Sequence, residues 1–381
     1  MTYSPFGIHT FTLFSTVIES EAFSIIADFK KYRDKTGEIK IITNDKYPNN
    51  YEIKYHGGKG IIWRIRYSQD FQGSIPIYCI DAIINPKVLS SGFPDYFNVA
   101  NQEEIKIALT KLIEEAKKIS NRLCESLSSR LNRVDYCINF DIDKLMIPCT
   151  AEQMMELIKR GNIPNHFEEH MQYDYTSRRM KSDKVTLYLK SKSTVVNCYL
   201  KGEQLKREYP QTPNIPSNII RFEIQCKYNK ISAMKKGYSS SDTETMIQLL
   251  SDKTSKEVLT KYFNRIIMRG NYYTLAEAIA LIESKCFKLK KETRLIKALQ
   301  YVNLCRGISK AKDKLPSDEL IIFNRALREL VSLDINPVTI PKDWGMKYIN
   351  NLMDSQEEMI RRMMNRETKK YPSTLLSATI H

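Results

Sequence analysis

The stretch RVDYCINFD, residues 133–141, alternates polar and apolar side chains in a way that decides the fold. Successive side chains of a strand point to opposite faces of a sheet, so the even-numbered residues from Val134 to Phe140 form one apolar face. Arg133 and Asp135 stand on the other, polar face. The stretch therefore predicts a strand with a core on one side and charged groups on the other.

A second stretch, IIRFEIQCK at residues 219–227, repeats this pattern with Arg221 and Glu223 on its polar face. In both stretches an arginine and a carboxylate lie two residues apart, or about 7 Å along one strand face. A third stretch, VVNCYLKGEQ at residues 195–204, is expected to place Asn197, Tyr199 and Lys201 together on one strand face.

Working outward, two successive units of strands plus helix are visible. In the first, YEIKY and IIWRIRY flank the turn HGGKG, residues 75–84 read as a further strand, and apolar residues recur at helical spacing from Ile105 to Leu127. The second has predicted strands at 134–140, 184–190, 195–201 and 219–227 and a helix at 151–159. The expected fold class is α+β, a largely antiparallel sheet with helices on one face, followed by a helical C-terminal domain.

The strand pattern stops near residue 238, where YSSSDTE (238–244) is polar and typical of a turn. We therefore predict an α+β catalytic domain at residues 1–237 and a basic helical domain at 238–345. Residues 346–381 are charged and methionine-rich, which indicates a C-terminal helix or tail.

The formal net charge of +15 favours an anionic partner such as a nucleic acid. Residues 253–330 hold 17 Lys plus Arg against 8 Asp plus Glu, so +9 of the excess is expected in the helical half. Clustered cations suit phosphate neutralisation, although a solvated helical surface explains them equally well.

The chain has neither a run of apolar residues long enough for a membrane helix nor a basic N-terminal region leading into an apolar one. A cytoplasmic protein without membrane contact is therefore expected. Its eight cysteines are scattered without a C-x-x-C pair, which favours reduced thiols and argues against a zinc ribbon.

HFEEH at residues 166–170 matches the spacing of one class of zinc protease, which requires both histidines on one helix. Gly161 and Pro164 precede the motif and argue against that helix. The sequence also has no histidine–apolar–histidine triplet, so carboxylates have to hold any catalytic metal. A half-exposed sheet without any function would show the same polar alternation.

The same residues resemble the replication initiators of rolling-circle plasmids and filamentous phages, including phage replication endonucleases of the gene II/X type and the related nickases of conjugative elements. The similarity lies in Arg133-Val134-Asp135, in Arg221-Phe222-Glu223 and in the predicted tyrosine hairpin LYLKSKSTVVNCYLKGEQ, residues 187–204. It is specific over roughly residues 130–230. Asn197 stands where plasmid members have arginine, and Leu189-Lys190 replaces their glycine region.

This resemblance implies an origin-nicking, single-strand DNA endonuclease. Tyr199 would attack a phosphodiester, form a 5′-phosphotyrosine and release a 3′-hydroxyl that a polymerase extends. A phenol is a weak nucleophile at its ordinary pKa, and Lys201 is placed to favour the phenolate. Tyr188, on the other strand of the hairpin, is the rival nucleophile.

The resemblance further implies that Asp135 and Glu223 hold Mg²⁺ or Mn²⁺, which prefer oxygen ligands. Asp141 is a weaker third ligand, and Asp81 in the first unit is a further candidate. DNA contacts are expected from five residues: Arg133, Arg221, Lys190, Lys192 and Asn197. The expected partners are origin DNA, single-stranded or in a hairpin, and a host helicase and polymerase, and a homodimer is left open. The alternative is an origin-binding protein or regulator that does not cut DNA.

Overall fold

The structure is a computed structural model. It describes residues 5–370 apart from 45, 70–75, 93–97, 128–129, 175–178, 182, 184, 209, 212–217 and 239–240.

Strands and helices alternate along the first two thirds of the chain, and helices dominate the last third. The strands are β1 Phe6–Ile18, β2 Ile39–Asn44, β3 Tyr47–Tyr55, β4 Ile61–Gln69, β5 Pro76–Ile84, β6 Leu131–Asp141, β7 Glu168–Glu169, β8 Gln172–Asp174, β9 Arg179–Lys181, β10 Thr186–Lys190, β11 Thr194–Leu200, β12 Ile219–Lys227, β13 Tyr272–Tyr273 and β14 Tyr348–Ile349. The helices are α1 Glu19–Thr36, α2 Pro86–Ser91, α3 Gln102–Ile119, α4 Asn121–Ser126, α5 Ala151–Lys159, α6 Lys201–Glu208, α7 Tyr228–Lys235, α8 Asp242–Leu249, α9 Asp252–Ile266, α10 Leu275–Glu283, α11 Leu289–Cys305, α12 Ile308–Lys312, α13 Ser317–Ser332 and α14 Leu352–Lys370.

Ten strands form one large sheet in the order β2-β3-β4-β5-β1-β6-β12-β11-β10-β7. Every neighbouring pair in this sheet is antiparallel. The predicted α+β class with a largely antiparallel sheet is confirmed.

The sheet consists of two five-stranded units with the same strand order. In each unit the first strand pairs with the last one, and the remaining strands follow outward in reverse chain order. The units meet where β1 pairs with β6. Residues from the first strands of both units therefore meet at the centre of the sheet.

The helices pack mainly on one face of the sheet, which we call the core face. Helix α1 contacts β1, β2 and β5, and α5, α7 and α9 contact the strands of the second unit. Aromatic rings join these layers, because Phe263 of α9 lies 5.9 Å from Phe140 and 5.8 Å from Phe222 between ring centroids. The opposite face, which carries Asp135 and Glu223, is the site face. Helix α6 contacts β12.

Two local predictions need correction. The helix expected from Ile105 to Leu127 is divided into α3 and α4, because Ser120 adopts an extended backbone conformation. Lys201, expected in a strand, begins helix α6 instead. The HGGKG turn is as expected, with Gly57, Gly58 and Gly60 at positive φ between β3 and β4.

Helices after residue 238 still contribute to the core of the sheet domain. Tyr136 donates a hydrogen bond to the Leu249 carbonyl at 2.8 Å, and Ser255 donates one to the Gly7 carbonyl at 2.9 Å. Helices α8 and α9, which follow the predicted boundary near residue 238, thus pack against the sheet. Residues 239–240 at that boundary lie outside the described ones. Helix α14 falls in the predicted C-terminal segment, and residues 371–381 lie outside the described part.

None of the helices in the described part of the chain combines the length and the apolar character that crossing a membrane requires. All eight cysteines are free thiols, and five of them are buried.

Candidate metal centre and tyrosine hairpin

The centre of the site face is built by the pairing of β6 with β12. In this register Gln225 stands opposite Asp135, and Glu223 stands opposite Cys137. Asp135 and Glu223 are therefore diagonal neighbours on adjacent strands, with both side chains on the same face.

A β-bulge in β1 adds a third group. The pairing of β1 with β6 passes from Ile8 opposite Tyr136 to Thr10 opposite Asp135, so His9 is an extra residue. A bulge redirects the side chain at the inserted position. Here it brings His9 to the site face, where its Nδ1 lies 3.2 Å from Glu223 Oε2.

His9, Asp135 and Glu223 form a compact group in which one donor atom of each lies within 4.8 Å of the others. Asp135 is almost fully buried and is also contacted by Arg133, whose Nε donates to Asp135 Oδ1 at 2.9 Å. The Thr10 hydroxyl donates a hydrogen bond to the same carboxylate. These contacts fix the position of Asp135 on the sheet.

Several charges act on the Glu223 carboxylate. Burial alone would raise its pKa, but the nearby His9 imidazole and the guanidinium groups of Arg221 and Arg133 outweigh burial and lower the pKa below its ordinary value. Glu223 is therefore an anion at neutral pH, as a metal ligand has to be.

The environment of Glu223 fits a bound cation. Among the described residues its buried Oε2 has only the His9 Nδ1 at 3.2 Å, in poor hydrogen-bond geometry. The Oδ1 of Asn197, the residue paired with Glu223 across β11 and β12, accepts no hydrogen bond. These statements concern the described residues. Two carboxylates and one imidazole form a mixed oxygen and nitrogen donor set, which suits Mn²⁺ better than Mg²⁺. When bound there, a divalent cation would polarise a phosphate oxygen.

Tyr199 lies on the same face but is buried, with 9% of its surface exposed. It pairs with Arg221 across β11 and β12, and the Arg221 guanidinium hydrogen-bonds to its phenol. Burial, with a smaller contribution from the charge of Glu223, raises the pKa of Tyr199. The phenol is therefore protonated at neutral pH.

Two buried cations accompany Tyr199. Arg221 is completely buried and donates from Nε to Asn139 Oδ1 at 2.8 Å, while Lys201 is 2% exposed and lies 5.9 Å from the Tyr199 ring centroid. Burial and the nearby Arg221 lower the pKa of Lys201 to about 8. Two cations held in so little water create a site that favours an anion.

Tyr188 is half-buried and shares the site face with Asn197, to which it is paired across the hairpin. Its ring meets the edge of His170 at 5.7 Å between centroids, and the His170 amide donates to the Tyr188 carbonyl at 2.9 Å. It also lies close enough to Arg133 for their charges to interact. Of the two tyrosines, Tyr188 is thus the more accessible.

The remaining predicted residues lie elsewhere. Asp141 is not part of the group, because it ends β6 about 20 Å along the strand from Asp135 and pairs with Lys144 at 3.1 Å. Asp81 is buried in the first unit and forms an ion pair with Arg66. Lys190 and Lys192 are exposed at the turn between β10 and β11.

The HFEEH segment does not form the helix that a zinc site of this spacing requires. Its Glu168 and Glu169 form the short strand β7, and His166 stacks on Phe167 at 4.5 Å between ring centroids. Its two histidines are not in the group formed by His9, Asp135 and Glu223.

His9 was not predicted from the sequence, although a signal was present. In β1 the buried residues Ile8 and Phe11 are three apart instead of two, and the polar pair His9-Thr10 lies between them. Such a break in the spacing of buried residues is typical of an inserted residue, and hence of a bulge.

No protein-family model matches the chain, and no curated protein is significantly similar to it. Among solved structures, the di-domain ARO/CYC StfQ from the steffimycin biosynthetic pathway aligns with 10% identity over 67% of this chain and 97% of that chain. The TM-score is 0.16, which is too low to carry an argument about fold or function.

Proposed function

We propose that this protein is a metal-dependent DNA-nicking endonuclease with a tyrosine nucleophile, which initiates rolling-circle replication. The observation that carries the proposal is that a hairpin with two tyrosines shares one sheet face with the His9–Asp135–Glu223 group. Such a face combines a nucleophile, a cation site and positive charge for a phosphate.

In the proposed reaction a tyrosine oxygen attacks the phosphorus of a DNA phosphodiester. The phenol loses its proton, a bond from its oxygen to phosphorus forms, and the bond from phosphorus to the 3′ oxygen breaks. The 3′ oxygen gains a proton and becomes the free 3′-hydroxyl, while the protein keeps the 5′ phosphate. His9, Asp135 and Glu223 would hold the divalent cation, and Arg133 would orient Asp135.

Accessibility favours Tyr188 as the nucleophile over Tyr199. A DNA phosphate has to reach the attacking oxygen, and the phenol of Tyr199 is buried beside Arg221 with a raised pKa. With Tyr188 as nucleophile, the buried Tyr199, Arg221 and Lys201 would instead support the hairpin that carries Tyr188.

The site face extends beyond β1 to Arg66 and Arg64 on β4, which line a polar cavity of about 680 Å³ together with Lys46, Tyr51 and Glu52. Arg64 pairs there with Glu52, and Arg66 pairs with Asp81. Cations next to an aromatic ring suit the backbone and bases of a single strand. We therefore propose single-stranded origin DNA as the substrate.

One observation favours the alternative of an origin-binding protein that does not cut. The Asp135 carboxylate accepts hydrogen bonds from both Arg133 and Thr10, so the group can serve as a structural ion-pair network. In that case DNA binding would be strong and salt-sensitive but would need no divalent cation.

A nicking assay distinguishes the two functions. The protein is incubated with Mn²⁺ and a supercoiled plasmid that carries the DNA flanking its own coding region. Nicked circles with covalently attached protein are expected, and they should disappear with EDTA and in Glu223→Gln. The non-cutting alternative predicts a different result. The wild type would then not nick this DNA, and Glu223→Gln would bind it as tightly as the wild type does.

A further inference from the structure

Helices α11 and α13 leave a large apolar groove on the surface of the helical region. Four of its lining side chains are strongly exposed: Leu289 (76%), Leu304 (75%), Ile321 (74%) and Ile322 (57%). The cavity between them measures about 1160 Å³, above the range of roughly 300–1,000 Å³ that small-molecule sites occupy. An apolar surface of this kind is typical of an interaction site.

The groove is a formed feature of the two helices. Its floor includes the buried residues Ala298 and Ala326, and the rings of Tyr301 and Phe323 meet edge to face at 6.1 Å between centroids. At one side Glu329 of α13 joins the helices by accepting from Arg294 of α11 at 2.6 Å, and it also accepts from Arg325 of its own helix at 2.9 Å.

The rim of the groove is positively charged. Lys290, Lys297 and Lys314 line it without an ion-pair partner among the described residues, and Glu319 is the carboxylate among the lining residues. Lys290, Lys297 and Leu304 are spaced by seven residues, so they follow one side of α11. An occupant therefore needs an apolar stripe flanked by negative charge.

We propose that this groove binds an acidic amphipathic helix of a partner protein. A helix laid between α11 and α13 would bury its apolar stripe against Leu304 and Ile321 and place its carboxylates beside the lysines. A second copy of this chain fits less well, because the same face would bring like charges together. DNA would leave the apolar walls exposed. The proposal does not depend on the nicking function.

Two synthetic peptides test the proposal. Each has about 18 residues, which is enough for five turns of helix. Both carry the same leucine stripe, one flanked by glutamates and the other by lysines, and binding is measured by fluorescence anisotropy on the full chain. The acidic peptide should bind at least about tenfold more tightly. Ile321→Asn and Lys297→Glu should each weaken this binding, whereas Ile113→Asn on α3 and Lys261→Glu on α9 should not.

Circular dichroism and thermal unfolding verify that each variant is folded. The proposal would be overturned if both peptides bound with equal affinity, or if Ile321→Asn left the affinity for the acidic peptide unchanged. Displacement of the peptide by single-stranded DNA would also overturn it. The same holds if sedimentation experiments show a dimer and Ile321→Asn abolishes that dimer. Tighter peptide binding after deletion of residues 371–381 would overturn it too, since the chain's own C-terminus would then be the occupant.

Discussion

His9 Nδ1 lies 3.2 Å from Glu223 Oε2, so the first and last strands of the large sheet, in chain order, meet at one point. This contact depends on the bulge in β1 and on β6, which separates β1 from β12. The candidate metal centre is consequently sensitive to any change that shifts β1 along β6.

Replacing His9 with alanine should weaken Mn²⁺ binding by at least about tenfold, because one of three ligands is lost. Free Mn²⁺ is measured by electron paramagnetic resonance during titration. His56→Ala is the matched control, since His56 is exposed at the β3–β4 turn. An unchanged affinity in His9→Ala would remove histidine from the proposed ligand set.

Exchanging each tyrosine for phenylalanine should separate the two candidate nucleophiles. We expect Tyr188→Phe to abolish the covalent protein–DNA product, because Tyr188 is the more accessible phenol. Tyr199→Phe should reduce the yield without abolishing it, since its phenol is bound to Arg221. The product is detected by denaturing gel after nuclease digestion, and mass spectrometry locates the phosphotyrosine. Loss of the product only in Tyr199→Phe would reverse the assignment.

Gly7→Ala should destabilise the protein by about 1–3 kcal/mol, the usual cost of forcing an extra methyl group into a packed position. A Cβ at Gly7 would lie 2.5 Å from the Ala100 carbonyl oxygen and 2.8 Å from Val99 Cγ2. Relief requires β1 to move, and Mn²⁺ binding should weaken with it because His9 is two residues away. Denaturant unfolding and the Mn²⁺ titration measure both effects.

Gly237→Ala is the control for that experiment, since its Cβ would meet only Met234 O at an ordinary 3.5 Å. If Gly7→Ala unfolds at the same denaturant concentration as the wild type, the close packing of β1 against residues 99–100 is not a constraint.

Lys201 should make stability rise with pH above about 8. Its pKa is lowered to about 8 in the folded protein, so between this value and the ordinary 10.5 the unfolded chain binds a proton that the folded chain has released. Unfolding is therefore increasingly unfavourable as pH rises, by about 2 kcal/mol between pH 8 and 9.5.

Lys201→Met should lose that rise, and the exposed Lys192→Met should keep it. Denaturant unfolding at several pH values between 7 and 9.5 measures the difference. Parallel pH profiles for Lys201→Met and the wild type would mean that the buried lysine keeps an ordinary pKa.

Much of the fold was predictable because it depends on the local periodicity of apolar and polar residues. Helix α5 at Ala151–Lys159 and strand β12 at Ile219–Lys227 have the predicted bounds. The alternation in β6 and β12 likewise separated the buried even-numbered residues from Asp135 and Glu223. Each of these features depends on side chains a few residues apart, whose spacing determines the face they share.

The sequence by itself thus determined strands β6 and β12, their two faces and the two carboxylates of the candidate site, but not the central strand β1. The tertiary structure decided which third group joins them, His9 instead of Asp141, because strand register and a bulge arise only when distant strands pair. It also decided that Tyr199 and Lys201 are buried while Tyr188 stays accessible, since burial depends on the elements that cover a face and not on the strand that carries it.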